Sequence, residues 1–127
     1  MKRIITLIFS LVALCTAVYG AGKPAVTYSS TTHDFGTISA AKGPVSAEYE
    51  FTNTGDAPLI IINVTNGGCG CTTPTFPKQP IAPGKSGVIT IHFDPTGRRG
   101  EFNREVKVRT NIGKKQYRLK FSGVIVP

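Results

Sequence analysis

Apolar and polar residues alternate with a period of two through most of this chain. In Ala47-Glu48-Tyr49-Glu50-Phe51-Thr52 the apolar Ala47, Tyr49 and Phe51 share one side and the polar residues share the other. Ile89, Ile91 and Phe93 alternate with Val88, Thr90, His92 and Asp94 in the same way. Val106 and Val108 alternate with Glu105, Lys107 and Arg109, and Tyr117, Leu119 and Phe121 with Arg118, Lys120 and Ser122. Successive side chains of a strand point to opposite faces, so this pattern predicts half-buried antiparallel strands. No stretch carries the 3.6-residue period of an amphipathic helix.

One segment departs from the alternation. Leu59-Ile60-Ile61-Ile62-Asn63-Val64 is apolar on both faces, which predicts a central strand covered on both sides. Turn chemistry separates the runs at Asn53-Thr54-Gly55-Asp56-Ala57-Pro58, Ala82-Pro83-Gly84-Lys85, Asp94-Pro95-Thr96-Gly97 and Asn111-Ile112-Gly113. With Val26–Tyr28 and Phe35–Ile38 added, the chain carries about seven strands, the count of an all-β, immunoglobulin-like antiparallel β-sandwich. The chain has no tryptophan and no two cysteines far apart in the mature domain, so its core rests on aliphatics and phenylalanines rather than on the antibody pattern. Open edges are expected at the Val26–Tyr28 strand or its neighbour.

The first twenty residues belong to another kind of element. Lys2 and Arg3 precede an apolar run of about ten residues, Ile4 to Leu14, and then smaller residues to Gly20. That layout predicts a signal peptide over residues 1–20, with cleavage before Ala21, and a single domain over 21–127. The run is shorter than a bilayer-spanning helix, so no transmembrane segment is expected in the mature chain. Val12-Ala13-Leu14-Cys15 has the outline of a lipidation box, with Leu14 too bulky for its place. Lipidation of Cys15 is the alternative to its removal with the leader. Export to the periplasm or the exterior follows, and with it an oxidising compartment.

Charge is unevenly distributed. The whole chain has 15 Lys and Arg against 7 Asp and Glu, a net charge of +8. Residues 96–127 hold nine of the basic residues, Arg98, Arg99, Arg104, Lys107, Arg109, Lys114, Lys115, Arg118 and Lys120, against Glu101 and Glu105. If the last two strands form a hairpin, Lys107 and Arg109 on one and Arg118 and Lys120 on the other face solvent together. Lys114 and Lys115 extend this candidate binding face at the turn, and Arg98 and Arg99 before it. Such a field suits an acidic protein surface, an anionic polysaccharide or a lipid headgroup. Nucleic acid is excluded as a partner by the expected export and by the lack of aromatics among the basic residues. The competing reading is a solvated face whose charges keep strand edges from aggregating.

The candidate chemistry lies in Gly67-Gly68-Cys69-Gly70-Cys71-Thr72-Thr73-Pro74. Residues i and i+2 of an extended strand point the same way, so Cys69 and Cys71 can hold a soft ion such as Cu(I) or Zn(II). A structural zinc site wants four protein ligands, and only His33 and His92 are available to complete it. The same pair can close a short disulfide around Gly70, or fill a tight corner. His33-Asp34 does not form a catalytic pair, because adjacent strand residues point apart; Asp34 is read as capping the turn into Phe35-Gly36. His92 is read as a surface histidine. Glu48 and Glu50 share a strand face with no acid–base partner. No catalytic constellation appears, and no cofactor is implied.

Several motifs in order match a known family. They are His33-Asp34-Phe35-Gly36-Thr37-Ile38, Phe51-Thr52-Asn53-Thr54-Gly55-Asp56-Ala57-Pro58-Leu59 and Cys69-Gly70-Cys71-Thr72, followed by Pro80-Ile81-Ala82-Pro83-Gly84, Phe93-Asp94-Pro95, Gly100-Glu101-Phe102, Thr110-Asn111 and Gly123-Val124. Over almost its whole mature length the chain resembles the secreted bacterial domain of unknown function 1573, related to the Hydin-like, abnormal-spindle-type immunoglobulin domains. The resemblance implies an Ig-like sandwich and no particular activity. The expectation is a non-catalytic, exported binding or scaffolding module of the cell envelope. The alternative is a periplasmic thiol-redox or copper-handling protein using Cys69 and Cys71. Against it, the chain has no methionine after Met1 and no Cys-x-x-Cys on a βαβ unit.

Overall fold

The structure, a computed structural model, describes residues 22–127. The expected signal peptide and Cys15 lie outside the described residues. Eight strands follow in order: β1 (Val26–Tyr28), β2 (Thr32–Ser39), β3 (Val45–Asn53), β4 (Ile61–Val64), β5 (Thr72–Thr75), β6 (Ser86–Phe93), β7 (Gly100–Thr110) and β8 (Gln116–Val126). They form two four-stranded sheets, ordered β1-β3-β6-β5 and β2-β8-β7-β4. All pairings are antiparallel except β2 with β8, which run parallel. The chain is therefore an Ig-like β-sandwich, with one strand more than the turn spacing suggested. The extra strand, β5, contains Pro74 and lacks alternation. It pairs only with β6, and an edge is where a strand tolerates a residue with no N–H to donate.

The alternating segments occupy the middle of each sheet. Ala47, Tyr49, Phe51, Ile89, Ile91 and Phe93 face inward from β3 and β6, and Val106, Val108, Leu119 and Phe121 face them from β7 and β8. Phenylalanines carry much of the core, with Phe93 stacked on Phe102 at 4.7 Å between ring centroids and tilted against Phe121 at 5.5 Å. Tyr49 ties the layers together: its hydroxyl donates a 2.6 Å bond to the Lys120 carbonyl of the opposite sheet. Burial pushes the Tyr49 phenol up to about 12, so it stays protonated at any physiological pH.

The segment Leu59–Val64 is not central, contrary to the sequence expectation. Its strand, β4, pairs with β7 alone and ends the sheet. A register shift between Ile61 and Asn63 turns Ile61 and Val64 inward together, while Ile60 and Ile62 stay 40% and 51% exposed. A β-bulge of this kind breaks strict alternation, so an apolar run need not mean burial on two sides. β1 is an open edge, as expected, pairing with β3 only; β3 itself is interior.

At one end of the sandwich, Asn53 closes β3 as a fully buried polar residue. Its amide nitrogen donates to the Ala57 and Ile81 carbonyls at 2.8 and 2.9 Å, and its amide oxygen accepts from Gly55 N–H at 2.9 Å. Its backbone bonds to Lys85 and Gly84 as well. Two loop segments, the one after β3 and the one before β6, are thereby fastened to one residue.

Candidate functional site

The β7–β8 hairpin assembles the basic surface. Lys107 sits opposite Arg118, Arg109 opposite Gln116 and Glu105 opposite Lys120. Because Val106, Val108, Leu119 and Phe121 take the inward positions, all four cations point to solvent and are exposed. Lys114 and Lys115 are exposed in the connecting turn, with Lys115 Nζ 5.1 Å from the centre of the Tyr117 ring. Among the described residues a single ion pair forms, Arg118 Nε to Glu105 Oε1 at 4.0 Å. Both partners are well exposed, so water and salt screen the pair and it neutralises little of the patch.

Arg98 and Arg99 do not join this face. They precede Gly100, which lies opposite Ile125 at the far end of the hairpin. The seven steps from Gly100 to Lys107 span roughly 23 Å of strand. Six of the eight predicted residues thus form one patch, and two sit elsewhere. The far end of the same outer face is a shallow groove lined by Asp34, Glu101, Asn103, Ser122 and Val124. Asp34 and Glu101 thus lie on this outer face away from the six cations, and the exposed Ile60, just before β4, and Ile62 within it flank the basic end.

The cysteine corner links the two sheets. After β4 the chain follows β7, with Thr65 N–H bonded to the Lys107 carbonyl, and then crosses to β5. Gly67 takes φ 69°, and a Cβ there would lie 2.6 Å from the Glu105 carbonyl oxygen, so glycine alone fits. Cys69 and Cys71 are joined as a disulfide with Cα atoms 5.2 Å apart. Cys69 is buried, whereas Cys71 is half-buried and packs on the edge of the core. Two donors converge on the Cys69 sulfur, the Cys71 N–H at 3.2 Å and Arg98 Nη2 at 3.4 Å. The Cys71 sulfur has the Thr72 hydroxyl at 3.6 Å. Arg98 is held near by the turn at the start of its loop. Asp94 Oδ1 accepts from Thr96 N–H, and Arg98 N–H donates to the Pro95 carbonyl. The hydroxyl and amide of Thr96, and then the charge of Arg98, hold the Asp94 carboxyl below the usual carboxylate range.

The histidines lie elsewhere. His33 meets Phe35 edge-on with ring centroids 4.5 Å apart, and His92 Nδ1 is 2.9 Å from the Ser46 hydroxyl. Among the described residues no three His, Cys, Asp or Glu side chains converge as a metal centre requires. Asp34 accepts from Gly36 N–H at 2.8 Å, the turn cap expected of it. Glu48 and Glu50 point outward opposite Thr90 and Val88. No helix among the described residues is long and apolar enough to cross a membrane.

Two features escaped the sequence reading. Asn53 was legible: it shares the inward phase of Ala47, Tyr49 and Phe51, and a buried asparagine ending a strand signals a side chain that organises loops. The approach of Arg98 to Cys69 was not, because 29 positions separate them and only the crossing of the chain between sheets brings them together.

Solved structures place this architecture among Ig-like domains. A protein of unknown function from Porphyromonas gingivalis W83 matches with TM-score 0.67 and 22% identity, over 80% of this chain and 46% of that one. The ASH/PapD-like domain of human CEP192 matches with TM-score 0.60 and 14% identity, over 80% of this chain and 84% of that one. The CupB2 chaperone of Pseudomonas aeruginosa matches with TM-score 0.51 and 16% identity, over 76% of this chain and 54% of that one. The chain thus spans less than half of the Porphyromonas protein, and at these identities the likeness is one of fold alone. No match to a curated protein is found. A family model does match, over residues 26–125 and so over every strand but the last residue of β8, and the chain belongs to that family, the proteins of unknown function DUF1573.

Proposed function

We propose that this protein is a non-catalytic binding module of the bacterial cell envelope, exported by its N-terminal segment, that docks an acidic protein surface on the β7–β8 hairpin. The observation that carries this reading is the grouping of Lys107, Arg109, Lys114, Lys115, Arg118 and Lys120 on one end of one sheet face, opposed there by the one carboxylate of Glu105. Adjacent Ile60 and Ile62 add apolar surface to the rim of this patch. Charge with exposed aliphatic area suits a protein partner, whose interface combines an apolar core with a polar, charge-complementary rim. The fold is shared with a chaperone, a kind of protein that works by binding others, which is support by analogy.

The test is capture from solubilised envelope by the wild type and by a variant carrying Lys107→Gln, Arg109→Gln, Arg118→Gln and Lys120→Gln. A partner retained by the wild type, lost by the variant and weakened between 50 and 300 mM salt fits the reading. Equal retention by both proteins overturns it. Binding only to anionic vesicles or to an acidic polysaccharide, measured in parallel, replaces the protein partner with one of those surfaces.

A further inference from the structure

The cysteine corner is chemically asymmetric in a way that the binding role leaves unused. Both hydrogen-bond donors at the bridge, the Cys71 N–H and the Arg98 guanidinium, aim at one sulfur, that of Cys69. That sulfur belongs to a buried residue, while Cys71 is accessible from solvent. The flanking glycines leave the backbone of the corner uncrowded, with no heavy atom within 4 Å of the position a Cβ would take on Gly68 or Gly70.

We propose that the Cys69–Cys71 bridge is a thiol-exchange site of fixed polarity, in which Cys71 is the sulfur attacked and Cys69 the leaving group. The co-reactant is a dithiol, small or protein-borne. Its first thiol loses a proton to solvent and attacks the solvent-accessible Cys71 sulfur in line with the bond to Cys69. A sulfur–sulfur bond forms to Cys71, the Cys69–Cys71 bond breaks, and its electron pair leaves on Cys69. The new thiolate stays between the Cys71 N–H and Arg98, a cationic setting that lowers a thiol's proton affinity and makes it a better leaving group. The second thiol of the co-reactant then attacks the mixed disulfide, forming its own disulfide and releasing Cys71 as a thiol. The protein gains two electrons and one proton, on Cys71; the co-reactant loses two electrons and two protons, the other proton going to solvent while Cys69 stays a thiolate. Asp94 is the acidic group placed to temper Arg98, and Thr72 offers only a neutral hydroxyl to Cys71.

The experiment uses the oxidised mature chain, glutathione as the attacking thiol and a quench with N-ethylmaleimide, followed by peptide mass mapping. The expected product carries glutathione on Cys71 and maleimide on Cys69. Arg98→Met slows formation of this product by about threefold to tenfold, Arg98→Lys keeps most of the rate, and Arg99→Met leaves it unchanged. Melting curves establish that each variant is folded. The proposal is overturned by glutathione on Cys69 or on both cysteines equally, by no adduct at all, or by an Arg98→Met rate equal to wild type. Two free thiols in protein isolated from an oxidising compartment overturn it as well.

Discussion

Two corners lie at opposite ends of β3 and solve one problem by different means. Near Asn53, loops from two parts of the chain must be held against the end of the core; near Cys69, a glycine-rich crossover must be held against the other end. The first uses hydrogen bonds from a single buried amide. The second uses a covalent bridge between residues two apart, with weaker polar contacts around it. A hydrogen-bonded corner is set by the sequence once and for all. A bridged corner depends on the redox state of its surroundings. Rigidity is thus constitutive at one pole and conditional at the other.

The most damaging way to break this contrast is Asn53→Ala. It strands the Ala57 and Ile81 carbonyls and the Gly55 N–H in or near the core, and the expected loss is about 3 kcal/mol by urea denaturation. A loss below about 1 kcal/mol means that water replaces the amide and that the corner is not as closed as described. Next comes a matched pair of glycines. A Cβ on Gly55 would collide with the Lys23 carbonyl oxygen and lie 2.5 Å from Ala25 N, whereas one on Gly70 meets nothing within 4 Å. Gly55→Ala is expected to cost about 2 kcal/mol and Gly70→Ala to change stability by less than about 0.5 kcal/mol. Equal effects erase the difference in packing between the poles.

Removing the bridge by Cys69→Ser with Cys71→Ser comes third, at about 1.5 kcal/mol, because so short a loop has little closure entropy to lose. A thermal melt with and without reductant checks it: the wild type shifts down and the double variant does not respond. The smallest effect concerns Asp94. Its carboxyl is held below the ordinary range in the folded state, so the charged form stabilises the fold above the unfolded value of about 3.9. That contribution fades as pH falls through the depressed folded value. Asp94→Asn, which keeps an acceptor for Thr96 and drops the charge, should be slightly less stable than wild type at pH 7. The two should converge in acid, as read by denaturation from pH 7 to pH 2. A gap that persists in acid shifts the cause from charge to turn geometry.

Much of this architecture was legible in the sequence. Alternation identified β3, β6, β7 and β8 because each has one face on the core and one in water, the condition under which a period of two appears. The same rule failed at β4, where a bulge and an edge position let Ile60 and Ile62 remain exposed. It also failed at β5, whose Thr72-Thr73-Pro74-Thr75 has no hydrophobic rhythm. The outward placement of Lys107, Arg109, Arg118 and Lys120 followed from strand phase alone. Separating Arg98 and Arg99 from them required knowing where β7 begins, which composition does not encode. The contact between Arg98 and Cys69 is a product of topology, and no local pattern announces it.

The parallel pairing of β2 with β8 has a temporal side. Among the described residues β2 bonds to no strand except β8, the last of the eight in chain order, so Thr32 waits for Lys120 and Ser39 for Val126. Contacts this distant along the chain are slow to form. During synthesis β1, β3, β6 and β5 can zip into one sheet while β2 stays unattached, with β7 open along one side. A chain cut short before Gln116 would carry two orphaned edges and a half-covered core. Emergence of β8 and closure of the second sheet are the same event, and any copy truncated before it advertises itself by what it leaves unpaired.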